Sequence, residues 1–188
     1  MADEPTIVRM PAWEELDKRF EPYAIQLGWL AYAWNSLHDN LGGLFWTLTG
    51  MQNGRIPLAI WNAVPNDRSQ REMVRALAEI ALSDKPKEKG EILWVLERAT
   101  TFEERRNNAM HTPFTFMIDA EGPQLTSKWI SGHARAQKLK DKDLLREFEW
   151  YGRTANALAI YTRQMSVSLR DSKAMPWPNR PQLPTLEQ

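Results

Sequence analysis

The chain has 188 residues, in which 24 Lys and Arg balance 24 Asp and Glu. Its size suits one domain with at most an appendage, and the absence of net charge means no global field to attract nucleic acid or an anionic membrane. Nine Trp, six Phe and four Tyr can fill a sizeable core, and the lack of Cys excludes disulfides, thiolate zinc sites and cysteine nucleophiles.

Residues 1–11 are polar, hold two prolines and read as a loose arm. Without a basic stretch leading into an apolar core, this is not a secretory signal. No apolar run approaches membrane-spanning length, so a cytoplasmic protein is expected. A short helix is expected around Ala12–Phe20. Pro22 then suits the first turn of a long helix reaching Thr49. On it Leu27, Leu30, Trp34, Leu37, Leu41, Leu44 and Leu48 alternate spacings of three and four, a heptad seam. Gly28, Gly42 and Gly43 lie off the seam, where close approach of another backbone would explain them. A third helical region starts near Ile56, breaks at Pro65 and resumes behind the cap Asn66 and Asp67. Its apolar line is Met73, Val74, Leu77, Ile80 and Ala81.

Residues 84–90 read as a charged loop. The next helix runs from Glu91 to His111, stopped by Pro113, which disfavours helix at Thr112. Phe114, Phe116 and Ile118 alternate with less buried neighbours. A turn at Glu121–Pro123 and a return over Leu125–Ile130 then complete a β-hairpin. Asp141 or Asp143 caps a last long helix to Arg170. From Lys173 the tail holds four prolines and is expected as an extended arm over 174–188, with Trp177 available to dock on a partner. No internal repeat is present. The expected fold is all-α, a four- to five-helix antiparallel bundle over 1–173, with the hairpin inserted before the last helix.

One segment carries chemistry: Arg106, Asn107, Asn108, Ala109, Met110 and His111 close the fourth helix. The line expected to face the core reads Ile92, Leu96, Ala99, Glu103, Arg106 and Met110. Charges on such a line are costly unless paired or used. A guanidinium, an amide and an imidazole form a kit for holding a phosphate and moving a proton beside it. Read blandly, Glu103 and Arg106 make a surface ion pair while His111 suits the helix dipole.

These residues, their place before a Pro-led hairpin and the long helix LGWLAYAWNSLHDNLGGLFWTLTG together resemble the HEPN superfamily (higher eukaryotes and prokaryotes nucleotide-binding). Its signature is Arg, four to six residues, then His, often with Asn after the Arg. The resemblance spans most of 22–170, but its specific part is six residues long. It implies a helical bundle that forms a homodimer through the motif-bearing face and acts as a metal-independent ribonuclease, of toxin or RNA-processing type, on RNA. An antitoxin or other protein partner is a possibility it brings. Arg106 and His111 would be the catalytic pair, and Asn107 would position the His or the phosphate. Asn35, Asp39 and Asn40 are alternatives for a residue that orients the His; where many relatives carry Glu, this chain has His38 and Asp39.

The chemistry is coherent without a metal. RNA supplies its own 2′-hydroxyl nucleophile, His moves a proton near neutral pH, and Arg clamps the phosphorane. On one helix, Arg106 and His111 lie ~140° apart and ~7.5 Å along the axis, so two chains meeting on a twofold axis would ease the geometry. No cofactor is expected, and His38, His111 and His133 share no ligand-like spacing for a metal. Arg68, Arg71, Arg75 and Arg105, or Arg135, Lys138, Lys140 and Lys142, form basic groups, but acids interleave them and a solvated face is favoured. Trp61 and Trp129 are candidates for an interface. Three readings stand: a dimeric HEPN-like nuclease, a non-catalytic HEPN-like module binding nucleotide, RNA or protein, and an interaction protein with an accidental motif. A formed polar shell around His111 separates the first two.

Overall fold

The computed structural model describes residues 11–119, 122–171, 173 and 175–186, so the expected N-terminal arm lies almost wholly outside them. Six α-helices are described: α1 (Trp13–Leu48), α2 (Arg55–Ala63), α3 (Asp67–Ala81), α4 (Pro86–His111), α5 (Ala134–Lys138) and α6 (Leu144–Arg170). Between α4 and α5 stand β1 (Phe114–Asp119), β2 (Gly122–Ser127) and a 3₁₀ turn at Trp129–Ser131. The all-α bundle with a hairpin before the last long helix is as the sequence indicates.

Two helix starts differ from expectation, both at prolines. Pro22 does not open a second helix; α1 runs through it for 36 residues. The amide that Pro22 lacks would have bonded the Lys18 carbonyl, and both residues are exposed, so water can serve that carbonyl instead. Pro86 begins α4 inside the segment expected as a loop, because its missing amide belongs to the set that no helix satisfies at its first turn. Elsewhere the caps are as read. Asn66 Oδ1 accepts from Ser69 N at 2.8 Å, and Asp143, not Asp141, accepts from Arg146 N at 3.1 Å. Asp141 instead adopts φ 59° in the turn between α5 and α6.

The seam on α1 forms the centre of the core. Leu30, Trp34, Leu37, Leu41, Leu44 and Leu48 are buried, joined by Phe148, Ala155 and Leu158 of α6. α1 and α6 approach closely at Gly152, where a Cβ would be in ordinary contact with the Leu30 backbone at 3.6 Å. At their far ends Thr47 Oγ1 lies 2.9 Å from Ser166 Oγ, so these two helices run in the same direction. This departs from a wholly antiparallel bundle; α4 runs counter to α6, with Tyr161 on Glu91 and Trp150 beside Phe102. Gly42 makes room for a side chain rather than a backbone, since a Cβ would meet the Trp61 indole at 2.9 Å. Trp61 is thereby core and not interface.

Two apolar lines shift from their expected positions. On α3, Arg71, Val74 and Ala78 are buried while Ile80 is exposed. On α4, the buried line is Ile92, Val95, Leu96, Ala99, Phe102 and Ala109, leaving Met110 exposed and Glu103 and Arg106 at its edge. The hairpin pairs Phe114 with Ser127 and Phe116 with Leu125, and Phe114 packs on Phe148 at 5.7 Å between ring centroids. The expected return over Leu125–Ile130 thus begins earlier, at Gly122, and ends at Ser127.

The Pro-rich tail is extended as expected, yet it lies against its own bundle. Arg180 pairs with Glu91 at 2.8 and 2.9 Å and covers the Trp94 ring, and Trp150 Nε1 donates to Pro184 O at 2.6 Å. Trp177 and Leu183 pack on the core, so the tail's aromatic is already occupied within the chain. No helix among the described residues is long and apolar enough to cross a membrane.

Leu37 is fully buried, and Ile80 is three-quarters exposed. Leu37→Ala should therefore lower the free energy of unfolding by ~2–5 kcal/mol, whereas Ile80→Ala should change it by less than ~0.5 kcal/mol. Urea titrations of the two variants check this.

Candidate functional site

The motif helix ends as the sequence indicates, but its three polar residues diverge. Arg106 turns inward. Its Nη1 donates to Asn107 Oδ1 at 2.7 Å, its guanidinium carbon stands 5.4 Å from the Trp34 ring, and its Nε is shut from solvent without a partner. His111 occupies the exposed last turn and makes no hydrogen bond or ion pair with any other described residue. The structure therefore brings Arg106 and Asn107 together and leaves His111 apart. Among the described residues, no hydrogen bond or ion pair forms a polar shell around that imidazole.

Asn107 also borders a cleft of about 430 Å³ between α4 and α5, together with Thr100, Glu103, Glu104, Arg135 and Lys138. Lys138 pairs with Glu104, leaving Arg135 as a cation without an ion pair among the described residues. The basic groups noted in the sequence dissolve in the same way. Lys142 pairs with Glu147 at 3.0 Å, Lys140 lies over Trp129, Arg75 pairs with Glu72, and Arg105 covers Trp150. Asn35, Asp39 and Asn40 do not reach the motif. They line a separate cleft of about 610 Å³ with Asn156 and Arg163 of α6.

The residue that sequence reasoning missed is Arg71. It is 1% exposed, and its guanidinium bridges two helices: Nη2 donates to Glu103 Oε2 of α4 at 2.5 Å, and Nη1 donates to His38 Nε2 of α1 at 3.2 Å. Since Nε2 accepts, His38 must carry its proton on Nδ1, which donates to Trp34 O at 3.2 Å. Trp34 Nε1 in turn donates to Asp67 Oδ2 at 2.8 Å. The sequence signal was present: position 71 falls three before Val74 and seven before Ala78, on the buried line of α3. Glu103, a charge on the line expected to face the core, finds its counter-charge here.

Burial holds His38 below the usual imidazole range, and the nearby guanidinium groups of Arg71 and Arg106 act in the same direction. Asp67 and the bond to Trp34 O oppose this, each more strongly than either guanidinium assists it, but burial prevails. Chemically, this is a neutral imidazole used as an acceptor for a buried cation. It is a structural joint between α1, α3 and α4.

No family model, curated protein or solved structure matches the chain.

A depressed folded-state pKa means that the folded protein holds the His38 proton less tightly than the unfolded chain. The stabilisation is complete above about pH 6.5 and is lost as pH falls through the folded value. Thermal melting should therefore drop between pH 7.5 and pH 5.5, and His38→Gln should reduce that drop while lowering the melting temperature at pH 7.5. Arg71→Ala should cost about 3 kcal/mol at neutral pH, at the lower end for a broken buried pair because Glu103 keeps partial access to water. Urea titration at pH 7.5 reads that loss, and Arg75→Ala, on the exposed face, is its control.

Proposed function

We propose that this chain is a HEPN-like helical module that binds RNA or a nucleotide at the α4 face around Asn107, and not a nuclease whose site is complete in one chain. The observation that supports this reading is the divergence of Arg106 and His111. A guanidinium turned onto Trp34 and an imidazole alone in solvent do not serve one phosphate from the same chain. Binding makes smaller demands. The Asn107 amide keeps donor groups after accepting from Arg106, and Arg135 offers, across the same cleft, a cation without an ion pair among the described residues. Because the surrounding charge is balanced, affinity should be modest and local contacts should set it.

A second reading, a metal-independent endoribonuclease of toxin or defence type working across two chains, draws support from the exposure of His111. An imidazole with no partner among the described residues is available to a phosphate held by another copy.

Fluorescence anisotropy with a short single-stranded RNA and with a nucleoside triphosphate, both in EDTA, tests the two together. The expected result is binding without strand cleavage, weakened by Arg135→Ala with a salt slope smaller by about one. Products ending in 2′,3′-cyclic phosphate that vanish in His111→Ala would establish the second reading. Absence of binding to either probe up to about 10⁻⁴ M, the weak limit of non-specific association, together with absence of cleavage, sinks both.

A further inference from the structure

α1 has a second apolar face that nothing in the described chain covers. Ile25, Trp29 and Tyr32 follow one another along it, 51%, 60% and 62% exposed. The Trp29 and Tyr32 rings meet edge to face at 5.8 Å, and a shallow hollow of about 430 Å³ runs over Ile25, Gly28, Trp29 and Tyr32. Gly28 has nothing within 4 Å of where its Cβ would be, so no close approach among the described residues explains it. Ile160 of α6, half exposed, widens the strip. At 100° per residue this face lies opposite the seam of Leu30, Trp34, Leu37 and Leu41. Two aromatics exposed to this degree present roughly 100–150 Å² each. With the isoleucines the strip approaches ~400 Å², the size at which an apolar patch marks an interaction site.

We propose that this strip docks on the same strip of a second copy of the chain, α1 against α1, antiparallel, about a twofold axis passing between Gly28 and Trp29. The strip is complementary to itself in that register. Ile25 and Tyr32 stand at equal distances from the axis, so each meets the other across it. The Trp29 indole faces the gap left by Gly28. Further out on the same face, Lys18 and Asp39 are also equidistant from the axis and opposite in charge. Both are exposed, and neither makes an ion pair among the described residues. They stand ~16 Å from the axis, so both symmetry-related pairs close only at a shallow crossing, near the ~20° class of helix packing. Two strips of ~400 Å² with their flanking polar residues approach the ~1,200 Å² of specific interfaces. A partner of unrelated sequence would not call for a pattern symmetric about the strip's own midpoint. The surface is distinct from the α4 face, so the proposal stands or falls separately from RNA binding.

Sedimentation velocity on the full chain tests it. The wild type should be a dimer at micromolar concentration. Trp29→Asp should weaken association at least 100-fold, as expected for a central aromatic anchor, with an unchanged helical circular dichroism signal. Lys18→Asp and Asp39→Lys should each weaken it about tenfold, since each breaks two symmetry-related surface pairs, and the double exchange should restore it. These exposed positions carry the test if Trp29→Asp loses its fold. A wild-type monomer, whether the strip is bare or covered by residues 1–10, overturns the proposal. So does a dimer indifferent to both single exchanges, which would place the interface elsewhere, or single losses that the double exchange does not repair.

Discussion

A guanidinium removed from water must be met by acceptors, and the Arg71 side chain imposes that condition on three helices. Its forked geometry allows one nitrogen to reach the Glu103 carboxylate on α4 while the other reaches the His38 imidazole on α1. An ammonium on a flexible stem would offer no such two-ended contact. His38 must then stay neutral, with Nδ1 turned to the Trp34 carbonyl, and Trp34 is held by Asp67 at the start of α3. The rotation of α3 and the edge position of Glu103 on α4 both follow from this joint. Arg106, one turn beyond Glu103, is carried with the helix face onto Trp34.

This arrangement gives the motif a different meaning. The Arg that would clamp a phosphate is packed on an aromatic ring at the edge of the core, and the His that would move a proton stands free. A guanidinium over an indole is stabilised by the ring quadrupole and is not readily surrendered to a ligand. Asn107 is the member of the three that both touches Arg106 and opens onto a cleft.

α1 divides its surface between two tasks. Its seam supplies the centre of the core, while its opposite face keeps Ile25, Trp29 and Tyr32 in solvent. The α6 helix can cover only one flank, and it does so by running parallel to α1 with Gly152 against Leu30. A parallel neighbour far along the sequence needs a long return, which α4, the hairpin and α5 provide. The Pro-rich tail then closes the opposite side of α6 through Trp150, Glu91 and Trp94.

Local signals were sufficient for much of this. The spacing of leucines on α1, the Asn66 and Asp143 caps, the stop before Pro113 and the alternation through Phe114 and Phe116 each depend on neighbours a few residues away, and the hairpin before the last helix followed from them. The polar motif was legible as a list of residues but not as a site. Whether Arg106 points at solvent or at Trp34 depends on a helix some seventy positions earlier. Likewise, Arg71 looked like one more charge on a basic helix until Glu103 and His38, each more than thirty residues away, were placed beside it. Pro22 could begin a helix or sit within one, and only a solvent-facing Lys18 carbonyl decided it. Periodicity tells a chain which faces to bury; which faces meet, and which charges thereby cancel, is set by packing between segments that the sequence keeps far apart.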